Sequence, residues 1–434
     1  MLIDSITTLA RKLVYLERGQ TTVLTHVRLI DGTGAAPRGD VSLVIEGDRL
    51  TRIASAGDTP GADDRTRVID GSGLTVIPGL FDCHIHYTGD TPGSAVERYS
   101  PNVWEAYRGV RTVWDVATTL EYGFTTVRAL GHGTAEQVYG LRRAVAEGLI
   151  PGPRILTSGW AISPTGGHGD PHFLPHEIVH KYRPRSAFAD GPVGCRVMVR
   201  QNLGEGADCI KIYTTGGSMV AAVDVKRPVP NFTIEEIQAM CDEAHAQGVH
   251  VAAHAITAEG TRNAVLGGVD TIEHGGLIGD DDELIDMMIE KGVYLDPTMK
   301  ILNVIATRGA SMGVRPFGVK GCQEMVDHQK GFLRKAAERG LKVICGTDTA
   351  IWGHGDNSEE LALLVEAGFS PMQAIVAATK TSSEALQIDQ HLGTLEIGKV
   401  GELVALSSDP LADIGSLRNT ENIRWIFKSR DQLI

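Results

Sequence analysis

The chain has 434 residues, 42% of them apolar and 22% charged, with 54 acidic against 41 basic side chains and a formal net charge of -13. That apolar share argues against general disorder, the acidic excess argues against a nucleic-acid surface, and no run of 18 apolar residues offers a membrane span. The length suits two or three domains, or one α/β barrel of roughly 250 residues with a smaller companion.

The first twenty residues read as a short helix. Asp4 and the Arg11-Lys12 pair interrupt any signal-peptide core, so a cytoplasmic location is expected, with a removed leader left open. Six cysteines are scattered at 83, 195, 209, 241, 322 and 345, with no CxxC pair. They read as small hydrophobes in a reducing compartment rather than as a disulfide framework. From Thr22 to Pro78, short β-type runs are punctuated by Gly and Asp at hairpin spacing, which predicts a small antiparallel sheet.

After Pro78, β-branched runs alternate with helical patterns. Eight strands are predicted, at 79–86, 124–130, 154–159, 208–216, 249–255, 270–275, 293–298 and 342–349. Helices are predicted at 233–248, 281–292 and 370–387, among others. This alternation predicts a (β/α)8 TIM barrel. The segments GTLEIGKVGELVALSSDP and IRWIFKS return to β grammar and are expected to complete the small sheet. The boundaries are then 1–77 and 389–434 for a small β domain drawn from both termini, and 78–388 for the barrel. The Gly-, Pro- and His-rich stretch 161–195 is too long for an ordinary connection and reads as a functional loop.

Five predicted strands carry a polar group near the C-terminal end, the active-site face of such barrels: His84 and His86, Lys211, His254, His274 and Asp348. Alternate residues on a strand share a face, so His84 and His86 can grip one ion. Imidazole with carboxylate suits zinc and similar divalent cations. Lys211 lies in CIKIY, where burying an ammonium is costly. It either pairs with a buried acid, or reaches solvent at a strand edge, or serves chemistry. A desolvated lysine is more often neutral, and a neutral amine can add carbon dioxide to give a carbamate that bridges two cations.

With these residues in order, the chain resembles the amidohydrolase superfamily. PGLFDCHIH matches its strand-one metal motif, and IKIY, AHA, EHG and GTDT match the later ligand positions. The resemblance spans nearly the whole chain and implies a barrel with a β-sandwich split between the termini. It implies two divalent ions, zinc by default, with His84, His86 and Asp348 on one, His254 and His274 on the other, and carboxylated Lys211 between them. SPTGGHGD (163–170), KIYTTGGSM (211–219) and GTDTAIWGHG (346–355) look like the prolidase-like and imidazolonepropionase-related branch.

That branch implies hydrolysis of a dipeptide or N-acyl amino acid, ochratoxin-type amides included, by attack of a metal-bridging hydroxide. Asp348, Lys211 and His168 are then the catalytic set, with His168, Tyr213 and His132 lining the substrate site. The bland readings are a loop-stabilising histidine and a core tyrosine. His172, His176 and His180 read as loop or surface residues. The resemblance implies a homo-oligomer, an octamer among the options, with no nucleic-acid or membrane partner. Rival readings are a mononuclear deaminase or imidazolone-type hydrolase, a lactonase or phosphotriesterase, and a metal-free binding protein. Against the deaminase, Ala255, Ile256 and Thr257 follow His254, so the HxxE glutamate is missing.

Overall fold

The computed structural model describes residues 2–55, 58, 60–89, 105–131, 135–170, 187–216, 229–279, 281–350 and 353–430. A helix at Leu2–Lys12 runs directly into β1 (Leu13–Leu16). β2 (Thr21–Leu29), β3 (Arg38–Glu46), β4 (Arg49–Ser55), β5 (Thr66–Asp70) and β6 (Thr75–Pro78) follow. β1 was not expected. No turn residue separates LVYL from the amphipathic helix before it, so the change of period is hidden.

Beyond Pro78 the strands become parallel. β7 (Leu80–Ile85), β8 (Phe124–Ala129) and β9 (Arg154–Thr157) form one sheet. β10 (Ile162–Ser163), β11 (Ala187–Phe188), β12 (Ile210–Tyr213), β13 (Val251–Thr257), β14 (Thr271–Leu277) and β15 (Tyr294–Asp296) form a second, in the order β11-β10-β12-β13-β14-β15. Every residue of β7, β8 and β12 is buried, as expected of strands covered on both faces. Helices alternate with the strands, and their starts are chemically marked. Ile234–His245 opens on a capping box in which Thr233 and Glu236 satisfy each other's backbone N–H, and it buries Ile237, Met240, Cys241 and Ala244. Ala258–Gly267 ends at Gly268, whose φ of 94° only glycine adopts readily.

The predicted eighth strand, 342–349, is not a continuous strand. It meets its neighbours through single bridges, Val343 with Leu295 and Thr349 with Ile85. Regular pairing is lost because Asp348 sits at a φ of 52° and Thr347 bonds the Asp82 carboxylate instead of a neighbour. The segment still ties the two parallel sheets together. Leu295 N donates to Lys342 O, Cys83 N to Cys345 O and Asp348 N to His84 O. Among the described residues the named strands therefore form two parallel sheets in an α/β body, not one continuous ring.

The predicted helix 370–387 is broken into Pro371–Val376, a π turn at Ala377–Thr381 and Ser382–Ala385. Thr379 and Ser382 hydroxyls donate to the carbonyls of Ile375 and Ala377, which loosens the helical ladder. Ser382 Oγ also accepts from Cys345 N and so braces the eighth segment.

The late strands β16 (Leu403–Leu406) and β17 (Ile423–Ser429) do join the first six. Their order is β1-β17-β16-β6-β2-β3-β4, with β5 on β2. The sheet is mixed rather than antiparallel, because β1–β17, β2–β5 and β2–β6 run parallel. Its apolar face includes Val14, Leu24, Leu43, Ile45, Val76, Leu403 and Phe427. All six cysteines are buried and free. No described helix is long and apolar enough to cross a membrane.

A buried cluster joins this sheet to the α/β body. Glu402 accepts from Lys428 Nζ at 2.5 Å, Ser429 N at 3.2 Å and Arg154 Nη2 at 3.3 Å. Removing the carboxylate breaks the buried ion pairs of Lys428 and Arg154. Glu402→Leu is expected to destabilise the protein by about 3–5 kcal/mol, read as a lower urea midpoint; an unchanged midpoint would show that the cluster is dispensable.

Candidate metal centre

His84 and His86 stand at the end of β7, where the β7–β8 register shifts between Asp82 and Ile85. Such an irregularity re-aims side chains. His84 Nδ1 lies 2.7 Å from Glu273 Oε2, and His86 Nδ1 lies 2.9 Å from Gly131 O. Both rings therefore turn Nε2 toward Asp348, whose Oδ1 is 2.8 Å from His86 Nε2 and 3.7 Å from His84 Nε2. These three residues form a compact set of potential metal ligands.

His274 ends the regular part of β14, beside a second register shift, at a φ of 75°. Its Nδ1 lies 2.7 Å from Thr298 Oγ1, and Thr298 itself has a φ of 47°. Three non-glycine residues in the left-handed region, His274, Thr298 and Asp348, thus crowd one mouth. Strain of this kind gathers at functional sites. His254 packs edge-on against His274, with centroids 4.6 Å apart, and its Nε2 is buried with no hydrogen-bond partner.

Burial is the main reason that His84, His254 and His274 are held well below the ordinary imidazole range, with the neighbouring cations adding to it. Neutral imidazole is the form that binds metal. Lys211 is 1% exposed, and its Nζ has no hydrogen-bond partner. Burial brings its pKa down to about 8, against the pull of Glu273 and Asp348. A buried-acid partner is therefore absent as a contact, and the strand-edge alternative fails because the side chain is enclosed.

The loop SPTGGHGD is pinned from within. Gly166 N donates to Asp170 Oδ2, Gly169 N to Ser163 Oγ, and Thr165 Oγ1 to Asp190 Oδ2. It lays His168 flat on His254, with centroids 4.4 Å apart and planes 22° apart. Tyr213 completes the wall, 4.6 Å from His168 and 5.6 Å from His254. His132, His172, His176, His180 and residues 217–228 lie outside the described residues.

Sequence reading missed the buried groups beneath these ligands. Asp82 accepts from His84 N, Thr347 N, Thr347 Oγ1 and Asn357 Nδ2, and so clamps the strained turn at Asp348. Glu360 caps the helix Met299–Arg308 through Met299 N and Lys300 N, directly after Thr298. Asp296 is fully buried, with both oxygens lacking a hydrogen bond, and burial raises its pKa well above the ordinary range. Gly346 leaves it room, since a Cβ there would meet Asp296 Oδ2 at 2.1 Å. The available signal was a charged residue inside an apolar strand run, as in TIEHG and VYLDP.

The model of the Amidohydrolase family matches residues 75–429, most of the chain. The chain belongs to the amidohydrolase family. This amidohydrolase is 28% identical over 440 residues to the ochratoxinase of Aspergillus niger, covering 95% of this chain and 86% of that protein. A crystal structure of a Xaa-Pro dipeptidase with bound methionine superposes with a TM-score of 0.83 at 33% identity, covering 94% and 98% of the two chains. A prolidase complexed with N-methylphosphonate-L-proline gives 0.84 at 30% identity, with the same coverage. The family and these likenesses place the α/β body among TIM-barrel-like amidohydrolase domains and make the protein a hydrolase acting on C–N bonds.

The buried amine has a thermodynamic signature. The folded pKa of Lys211, about 8, lies below the ordinary lysine value of 10.5, so the unfolded chain binds the extra proton between them. The penalty is complete below about pH 8 and fades as pH rises through 10.5. Lys211→Met is expected to stabilise the metal-free protein at pH 7 by about 3 kcal/mol, with no gain above the upper value. Equal stability of the two proteins at pH 7 would contradict this.

Proposed function

We propose that this amidohydrolase holds two divalent cations, zinc by the chemistry of its donors, and cleaves the amide bond next to a free C-terminal carboxylate in a dipeptide or N-acyl amino acid. The single observation that carries the two-cation reading is Lys211, a buried amine with no hydrogen-bond partner, close enough to His84, His254 and His274 to depress the pKa of each. The unpartnered Nε2 of His254 supports it as well. His84, His86 and Asp348 would hold one cation, and His254 and His274 the other. The neutral Lys211 amine would add to carbon dioxide, lose one proton and become a carbamate with an oxygen for each. A mononuclear centre would leave Lys211 without a task.

Bound at these residues, the cations would bring the pKa of water toward neutrality and polarise the scissile carbonyl. Asp348, 2.8 Å from His86 Nε2, would take a proton from water and return it to the leaving nitrogen. His168 and Tyr213 stand together on the His254 side, where they would orient the carbonyl oxygen. The substrate class draws its support from the relatives. One is named for ochratoxin, one for Xaa-Pro dipeptides, and one was crystallised with a phosphonate of proline, an imino acid with a free carboxylate. We also infer that residues 78–388 close as a (β/α)8 barrel and that 1–77 and 389–434 build a β-sandwich domain, a reading supported by the bridges at Val343 and Thr349 and by the β6–β16 pairing.

The reading is tested by screening dipeptides and N-acyl amino acids varied at the C-terminal residue, with metal analysis of the same preparation. Capping the carboxylate as an amide is expected to lower kcat/KM by about a hundredfold or more. Equal rates for the free and capped forms would remove the carboxylate from the proposal. Asp348→Asn is expected to keep most of the metal yet lower kcat at least about a hundredfold; near-normal turnover would show that the proton moves elsewhere. Lys211→Ala is expected to lose one cation, with partial recovery in short carboxylic acids, and two tightly held ions in that variant would refute the bridge.

A further inference from the structure

The histidines of the centre do not all rest on the same kind of partner. His86 is held by the carbonyl of Gly131, and His274 by the hydroxyl of Thr298. His254 is held through the backbone of Gly216. The Nδ1 hydrogen bond of His84 goes instead to a carboxylate, that of Glu273 at 2.7 Å, while Asp348 faces His86 Nε2 at 2.8 Å and lies 4.0 Å from His274 Nδ1. A carboxylate only accepts, so a neutral His84 must carry its proton on Nδ1 and present Nε2 as a lone pair.

Glu273 is fully buried. Its other oxygen takes Arg128 Nη2 at 2.8 Å and Thr271 Oγ1 at 2.5 Å. Arg128, equally buried, gives Nε to Cys83 O at 2.6 Å and Nη1 to Thr271 Oγ1 at 3.2 Å. One guanidinium thus binds the backbone beside His84 on β7 and the side chains of the β14 residues that precede His274. Neither Arg128 nor Glu273 has any exposed surface from which to touch a substrate.

We propose that Glu273, itself held by Arg128 and Thr271, is a positioning residue that fixes His84 for metal and makes it the strongest imidazole donor of the centre, so that the cation at His84, His86 and Asp348 is the more tightly held of the two. This rests on the two-cation reading above. A carboxylate behind a ligating histidine fixes the tautomer and raises basicity, and loss of such a partner typically weakens metal affinity about 10–100-fold. The carbonyl and hydroxyl partners of His86, His274 and His254 carry no full negative charge and give a smaller increase.

The test strips wild type, E273Q and E273D with a chelator, reloads each with Co2+, and follows binding by chelator competition and by the visible absorption of the bound ion. Wild type is expected to take up two Co2+ with separable affinities. E273Q keeps an acceptor for His84 but loses the charge. Its tighter Co2+ is expected to weaken about 10–100-fold, with a changed visible spectrum, while the weaker one moves little. E273D keeps a charge beside Arg128 but is one methylene too short for His84, so it is expected to show the same selective loss. If E273Q does not fold, E273D carries the test. Full recovery of Co2+ affinity in E273D, or wild-type affinity for both ions in E273Q, would reduce the pair to a structural ion pair and overturn the proposal. Wild type that binds no Co2+ would bring down the two-cation reading and this inference together. Two normal sites unaffected by either variant would bring down this inference alone.

Discussion

The structure turns on the cost of keeping charge out of water. At one end of the α/β body, an amine, four imidazoles and a carboxylate converge from five segments far apart in the chain, and beneath them lie a guanidinium and four more carboxylates. In a medium of low polarity each ionised group must find an opposite charge or a dense set of hydrogen bonds, or give up its charge. All three outcomes are present. Glu273 and Arg128 pair directly. Asp82 collects four donors. Asp296 has no hydrogen bond and only Arg128 Nη2 at 3.9 Å, and burial pushes it toward its neutral form.

The same constraint gives the mouth its chemistry. Every side chain with a firm partner is fixed by it, and the atoms left over point the same way. The Nδ1 atoms of His84, His86 and His274 are each held from behind, which turns the Nε2 atoms forward. Lys211 Nζ and His254 Nε2 have no partner at all. Such orphans are rare in folded proteins because they are costly. Their concentration among imidazoles and a carboxylate is what a cation would relieve. Backbone strain at His274, Thr298 and Asp348 belongs to the same economy of placement, since each is held in the left-handed region by the bonds of its neighbours.

Much of this was legible without coordinates. Polar residues inside apolar strand runs, as in CHIH, IKIY, AHA, EHG and GTDT, are improbable unless they serve a site, and their order along the chain matched a known family. Parallel strands buried on both faces announce themselves as continuous apolar runs, so seven of the eight predicted strands of the body were found close to their positions. The eighth was misread as a strand because CGTDT has strand composition, although its geometry is set by Asp82, Thr347 and a turn at Asp348. β1 was missed because nothing in LVYL separates it from the helix before it. It becomes a strand only because β17, from the far end of the chain, offers a parallel edge.

Local pattern therefore determined which residues are polar where they should be apolar, which faces of the helices are buried, and the identity of the candidate ligands. These depend on composition and period, which are properties of short stretches. Only the tertiary structure decided which partner stands behind each ligand: that His84 Nδ1 has a charged acceptor while those of His86 and His274 have neutral partners, that Lys211 has none, and that Arg128 binds both Glu273 and the backbone beside His84. The pairings of Glu273 with His84 and with Arg128 join residues more than a hundred positions apart. The burial that makes them matter comes from packing the whole chain, and no short stretch contains it.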